Sequence, residues 1–337
     1  MINHVYQLIE PKMVVVTYKD VPTQGKVLIR PRTMAICHAD GRYYWGKRDP
    51  EALKKKLPMA LIHECCGTVL ADPTGHFSRG EQVVCIPNVP GDCGGEFYEN
   101  YGEGSGFLSS GRDGFMREIV ALDPDRVVSC EGVDPEIAAI TEFVSVTHHA
   151  VNRFEALAHS RRERVAIVGD GSMAYALACT LSVRHPEIDL VIIGHNRDKL
   201  SLFSFVKERY LSSEAPADLS FDHAFECAGG TGCESAIRFV IDHIRPQGLL
   251  CLMGVSERDV PVFTRNVLEK GMTLVGCSRS GYGDFQKAVE MMRDPVIQSR
   301  LRQIVFVDDP VRDIAGIKRV FATDMQTPFK TVFGWEV

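Results

Sequence analysis

No apolar run in this sequence approaches the roughly 18 residues that a bilayer-spanning helix needs. The charge-free stretch 171–183 is 13 residues long and opens with Gly171 and Ser172. Positive charge is not in surplus either. Lys plus Arg number 38 and Asp plus Glu 44, a net charge of −6, and there is no basic block. That balance argues against sequence-independent binding to nucleic acid, which needs a cationic surface. The opening MINHVYQLIEPK has neither a basic start nor an apolar core. No signal peptide is therefore expected, and the protein is expected in the cytoplasm, away from membranes. A disulfide framework is missing as well. The 11 cysteines are odd in number, irregularly spaced, and include the adjacent Cys65 and Cys66. In a chain this long they read as reduced, mostly buried thiols, one or two of them serving a metal. Internal repeats and low-complexity segments are absent.

What is present is ordinary globular material, 45% hydrophobic and 24% charged. At about 150 residues per domain, the 337 residues make roughly two domains. Two textures support that division. Up to residue 147, short runs rich in Val and Ile (13–18, 26–31, 67–71 and 82–87) are broken by Pro and Gly, which predicts a β-rich domain. Within it, residues 88–114 hold eight glycines and little apolar period, which predicts a long surface lobe. From residue 164 the pattern alternates. Strands are expected at 164–169, 190–194, 222–226, 248–254 and 273–277, with helices at 172–184 and 233–244. Such alternation predicts an α/β fold with a doubly wound parallel sheet over residues 148–284. A helix at 285–293 and strands at 302–307 and 331–335 are expected to return to the first domain, so that 1–147 and 285–337 form one unit.

Val-Gly-Asp-Gly-Ser-Met-Ala (168–174) is a G-x-G-x-x-A fingerprint between an expected strand and an expected helix. Gly169 permits the tight turn, Gly171 lets the backbone approach a pyrophosphate, and Ser172 and Met173 open the helix whose N–H groups bind it. Ala174 stands for the third glycine. The alternative is a glycine turn without a ligand. An NAD site places an acid at the end of the second strand, about 20 residues on. Here Gly194 holds that place, and His195, Asn196, Arg197 and Lys199 follow. Loss of a carboxylate and gain of cations suit a 2′-phosphate, so NADP(H) is expected rather than NAD(H). The alternative makes Arg197 and Lys199 solvated charges at a helix start.

Three islands of the first domain offer metal ligands: Ile-Cys-His-Ala-Asp (36–40), Ile-His-Glu-Cys-Cys-Gly (62–67) and Thr-Glu-Phe-Val-Ser-Val (141–146). Each alone is weak. Together, Cys37 with Asp40, then His63-Glu64, then a glycine-rich nucleotide fold resemble the zinc-dependent medium-chain alcohol and polyol dehydrogenases. The resemblance implies a GroES-like catalytic domain joined to a Rossmann domain. It implies one catalytic Zn²⁺ held by Cys37, His63 and Glu142, with Glu64 a further ligand or a close exchangeable one and Asp40 orienting His63 through its other ring nitrogen. The sequence departs from that family twice. Its lobe holds Cys93 where the family's structural zinc uses four cysteines, so no structural zinc is expected. Ala39 stands where the family often has a proton-passing Ser or Thr. The proton is then expected to travel through water and Glu64.

Longer strings narrow the resemblance. MINHVYQLIEP, ICHADGRYYWGKRD, LPMALIHE, SSGRDGFM, FDHAFECAGG, GVSE and LEKGMTLVGCSRSG are similar to the ribulose-5-phosphate reductases, or ribitol-5-phosphate 2-dehydrogenases, of teichoic acid and capsule synthesis. That resemblance implies NADPH-dependent reduction of D-ribulose 5-phosphate to D-ribitol 5-phosphate. It also implies a homodimer or homotetramer, with segments 260–263 and 273–277 as edges, and a cytidylyltransferase of the same pathway as a partner. A sugar phosphate needs cations, and the candidates are Arg42, Arg112 and Arg279, with Lys47 and Arg48 beside them. Tyr43 and Tyr44 either line the sugar pocket or pack in the core. Rival readings are an NADP-dependent dehydrogenase of an unphosphorylated polyol, an inactive nucleotide-binding scaffold, and a zinc-free quinone-reductase-like relative, a group that lacks this Cys/His/Glu set.

Overall fold

The computed structural model describes residues 1–95 and 98–337. The chain forms two compact units, Met1–Ser145 with Arg279–Val337, and Val146–Ser278. The sequence placed these divisions at 147/148 and 284/285. The second differs because the helix Tyr282–Met292 starts three residues before the expected 285 and lies wholly in the first unit.

The first unit is built on a seven-stranded sheet. Its order runs Val127–Ser129, Gln82–Cys85, Glu64–Ala71, Val27–Ala35, Lys330–Trp335, Val305–Val311, with Val120–Leu122 also paired to Val27–Ala35. The last strand runs antiparallel to Val27–Ala35, Val332 facing Ala35. Thus the C-terminal strands return to the first domain. Val27–Ala35 carries Pro31 within a central strand, where proline removes a ladder N–H. The register slips between Pro31 and Thr33. Gly67 lies opposite, and a Cβ there would meet the Arg30 carbonyl oxygen at 2.5 Å. Beside this sheet, Ile2–Glu10 pairs with both Met13–Asp20 and Met59–Ala60. Alternate side chains of Ile2–Glu10 are buried, the period-two signature of a half-buried strand. Val5, Leu8, Ile29, Met34, Phe115 and Phe333 join in one core. The glycine-rich lobe, expected to lack regular structure, contains a short ladder of Asn88–Val89 against Gly106–Phe107. Its positions 96 and 97 lie outside the described residues.

The second unit is a six-stranded parallel sheet. Its order is Glu208–Leu211, Asp189–Gly194, Arg164–Val168, His223–Glu226, Leu249–Leu252, Thr273–Gly276. The first strand in sequence is central, flanked by the second and fourth. This is the Rossmann order, in which ligands bind beyond the carboxyl ends at that reversal. Glu208–Leu211 escaped the sequence reading because its residues are charged and only half-buried. Two further expectations are corrected. Residues 260–263 form no strand, since Pro261 removes an N–H that a ladder would use. Residues up to Arg302 end the helix Pro295–Arg302, and the strand expected at 302–307 begins at Val305.

Candidate active site

In the first unit, three structural pieces converge. Cys37 stands at the N-cap of the helix His38–Tyr44, with Asp40 buried in its first turn. His63 and Glu64 follow Ile62, a β-branched residue held at φ +70°. Such a conformation is costly and persists only where neighbours enforce it. Here the Ile62 N–H donates to Asp40 Oδ1 at 3.1 Å, and its carbonyl accepts from Phe115 N–H at 2.7 Å. Glu64 opens its strand directly opposite Ala35. Glu142 lies in the first turn of the helix Thr141–Leu157.

Ligand atoms of Cys37, His63 and Glu64 lie within 4.8 Å of one another. His63 Nδ1 is 3.0 Å from Asp40 Oδ2, and its Nε2 faces Glu142 Oε2 at 3.9 Å. Asp40 Oδ1 also accepts the Ser109 hydroxyl at 2.5 Å. Glu64 Oε1 accepts from Lys330 Nζ, whereas its buried Oε2 has no hydrogen-bond partner. Charge is unbalanced here. Burial pushes the Glu142 carboxyl up to about 7, against the pull of His63. Burial likewise holds Glu64 above its ordinary value despite Lys330. Burial would depress the His63 imidazole, but Asp40 and Cys37 drive it well above its usual value. Burial would raise Asp40, yet His63, Ser109 and the Ile62 N–H leave it lowered. One thiol, one imidazole and two carboxylates in a pocket short of positive charge fit a divalent cation of the zinc type. The unpartnered Glu64 Oε2 is the atom that such an ion would satisfy.

Of the expected phosphate ligands, Arg279 takes φ +61° and lays its guanidinium 5.2 Å over the Phe107 ring. The Phe107 ring in turn lies 5.2 Å from that of His63. Arg112 is exposed, its Nε beside Gly106. Arg42 is half-buried at the end of its helix. Arg48 covers the Tyr43 ring at 4.8 Å, and exposed Lys47 reaches Met325 sulfur at 4.0 Å. Tyr43 and Tyr44 belong to the core, Tyr44 stacked on Phe321 at 4.1 Å.

The second unit holds the glycine fingerprint. Gly169 has φ +141°, and a Cβ there would meet the Cys227 carbonyl carbon at 2.8 Å. Gly171 has nothing within 4 Å of a Cβ position. It caps the helix Ser172–Arg184 with no side-chain bond to the first amides. An open cradle at uncapped N–H groups fits a pyrophosphate. Ser172 and Met173 are half-buried, and Ala174 is fully buried. After Gly194 the loop is tied by a residue the sequence reading overlooked. Asp170 Oδ2 accepts from the His195 and Asn196 N–H groups at 2.6 and 2.7 Å. A Cβ on Gly194 would lie 2.7 Å from that carboxylate. The expected cofactor ligands divide accordingly. Asn196 spends its side-chain oxygen capping Lys199 N–H at 3.0 Å. Arg197 pairs with Glu214 at 2.6 Å. His195 Nδ1 lies 3.0 Å from the Ser212 hydroxyl; His195 is exposed and Lys199 half-buried. Lys330, Ser109 and Phe107 were also missed. Their only sequence signals were a lysine heading an apolar strand and a serine-glycine run.

Residues 23–132 match the family of the alcohol dehydrogenase GroES-like domain. Over 340 residues the chain is 55% identical to the ribulose-5-phosphate reductase of Streptococcus pneumoniae, covering 100% of this chain and 98% of that one. This chain belongs to the ribulose-5-phosphate reductase family. The reductase of Bacillus spizizenii is 43% identical, with 100% of both chains covered. The structure of S. aureus TarJ in complex with NADPH superimposes with a TM-score of 0.89 at 40% identity, again over 100% of both chains. The family is one of medium-chain dehydrogenases, and this member is an oxidoreductase. Among the described residues, no helix is long and apolar enough to cross a membrane.

Proposed function

We propose that this reductase converts D-ribulose 5-phosphate to D-ribitol 5-phosphate with NADPH and a catalytic Zn²⁺. The observation that carries the reading is the half-buried thiol of Cys37 beside the buried imidazole and carboxylate of His63 and Glu64, in a chain so similar to a ribulose-5-phosphate reductase. In the reaction C2 of the ketose gains a hydride, its oxygen gains a proton, and NADPH becomes NADP⁺. When bound, the reduced nicotinamide supplies the hydride and Zn²⁺ the Lewis acidity that polarises the carbonyl.

Cys37, His63, Glu64 and Glu142 would hold the metal. Asp40 fixes the ring of His63 from Nδ1, which leaves Nε2 for the ion. Lys330 balances the charge of Glu64. Ala39 carries no transferable proton, so Glu64, bonded to the Lys330 ammonium, is assigned the proton path. Gly171 and the amides of Ser172 and Met173 would seat the pyrophosphate. For the 2′-phosphate, the lack of an acid at Gly194 removes repulsion, and the exposed His195 with the half-buried Lys199 would supply donors. Arg197 would have to leave Glu214 to join them. The product enters teichoic acid or capsule synthesis, where a cytidylyltransferase would consume it. A homodimer or homotetramer would pair through the outer strand Thr273–Gly276, whose Leu274 is 39% exposed.

The test is direct. Purified, zinc-loaded protein is mixed with NADPH and ribulose 5-phosphate, and absorbance of the reduced nicotinamide is followed. Turnover is expected, with loss on chelation and recovery on adding zinc. No turnover, or turnover indifferent to chelation that strips the metal, would overturn the reading.

A further inference from the structure

A ketose held at C2 must also be held at its phosphate, three carbons away. Resting on the functional reading above, we propose that the turn 106–112, with Lys56 and Arg112, is the seat of the substrate's phosphate.

The turn is compact. Ser109 and Gly111 both take left-handed conformations, at φ +63° and +80°. Ser109 N–H donates to the Arg112 carbonyl at 2.9 Å, and Ser110 N–H to that of Phe107 at 3.2 Å. Its inner side is fastened to the metal-ligand cluster. Ser109 bonds Asp40, and Phe107 packs its ring against His63. Its outer side carries cations. Lys56 lays its stem across Gly111, where a Cβ would lie 3.5 Å from Lys56 Cγ. The Lys56 ammonium donates to the Ser110 hydroxyl at 2.9 Å. Arg112 rests its Nε against Gly106, and Arg279 covers Phe107.

Charge singles this turn out. Among the described residues, Lys56, Arg112 and Arg279 form no ion pair. The carboxylate beside them, Asp113, is used elsewhere. It accepts from Lys19 at 2.5 Å, Gln7 at 2.8 Å and the Ala60 N–H at 2.9 Å. Unneutralised cations, the Ser110 hydroxyl and left-handed backbone around one turn make an anion seat. A phosphomonoester, close to a dianion at neutral pH, is the matching ligand class. An ammonium and a guanidinium on one turn suit it better than either alone, the first as a point charge and the second as a fork. Because Phe107 and Ser109 belong both to this turn and to the surroundings of His63, a phosphate seated here fixes the reach of the sugar toward the metal ligands.

Lys56→Gln, Arg112→Gln and the double variant test the assignment, with Lys54→Gln and Lys55→Gln as controls on the same short helix. In the double variant the KM for ribulose 5-phosphate is expected to rise about tenfold or more, through loss of charge-assisted bonds. Its kcat is expected to stay within about threefold, and its KM for NADPH is expected to hold, as it would for a seat that serves only the sugar. Lys56→Arg should recover part of the loss. An unchanged KM, or an equal rise in the Lys54 and Lys55 controls, would overturn the assignment. Should the double variant fail to fold, the exposed Arg112→Gln alone decides it by the same readout. Should the unaltered protein oxidise no NADPH with ribulose 5-phosphate, the functional reading fails instead. Titration of the zinc-loaded protein with inorganic phosphate then judges the seat by itself: about tenfold weaker binding in the double variant supports it, and equal binding sinks it.

Discussion

The candidate metal cluster and the glycine fingerprint solve opposite problems. The first gathers side chains from residues 37, 40, 63, 64, 142 and 330 into a mostly buried, charge-crowded space. The second uses one contiguous stretch, 168–174, and consists mainly of backbone left bare. Where function rests on side-chain chemistry, each member depends on the others for its charge. Where function rests on exposed amides, what matters is that nothing stands in the way. The two regions should therefore fail differently.

The largest loss is expected from Cys37→Ser. Removing a soft ligand should release zinc and cost about 1,000-fold in kcat, corresponding to several kcal/mol of lost Lewis-acid stabilisation. Metal content and turnover should fall together; activity that survives without zinc would remove the contrast between the regions. Next comes Gly171→Val. Its backbone, at φ −84°, accepts a side chain, and nothing lies within 4 Å of a Cβ there. The unfolding temperature should hold while the KM for NADPH rises roughly tenfold, about 1.4 kcal/mol. A drop in stability with normal cofactor affinity would show that the open space has another use.

The smallest effect sharpens the comparison from the protein-stability side. In the second unit, away from the fingerprint, His223 is buried and its Nδ1 accepts from Leu249 N–H at 3.0 Å. Burial and neighbouring His159 push it down to about 4. The unfolded chain, titrating near 6.5, binds the proton first. His223 therefore contributes full stability above pH 6.5, and that contribution is lost as pH falls toward 4. The loss amounts to at most about 3 kcal/mol. His223→Gln should flatten this part of the stability-versus-pH curve in denaturant titrations. An unchanged slope would assign the acid sensitivity to other groups.

How much of this was legible follows from the same contrast. The fingerprint could be read because its chemistry is local: strand, turn and helix are adjacent in sequence. The candidate metal ligands could be proposed because they sit in recognisable short strings. Lys330 could not, since its ion pair with Glu64 arises from the strand order and nothing nearby announces it. Asp170 was hidden inside the fingerprint as an apparently free position, and only the folded loop shows that it ties the amides of His195 and Asn196. Segment 260–263 misled because its valines and phenylalanine have strand character while Pro261 breaks the ladder. Glu208–Leu211 misled in the other direction, since an outer strand of a parallel sheet can be charged.

The bond between Lys330 and Glu64 joins positions 266 residues apart. On a ribosome adding about 5–20 residues per second, Glu64 waits on the order of half a minute for its counter-ion. The nascent polypeptide thus carries Cys37, His63 and Glu64 long before they can be enclosed. A transcript cut short ahead of residue 330 would therefore yield a thiol and a carboxylate with no ammonium to quiet them.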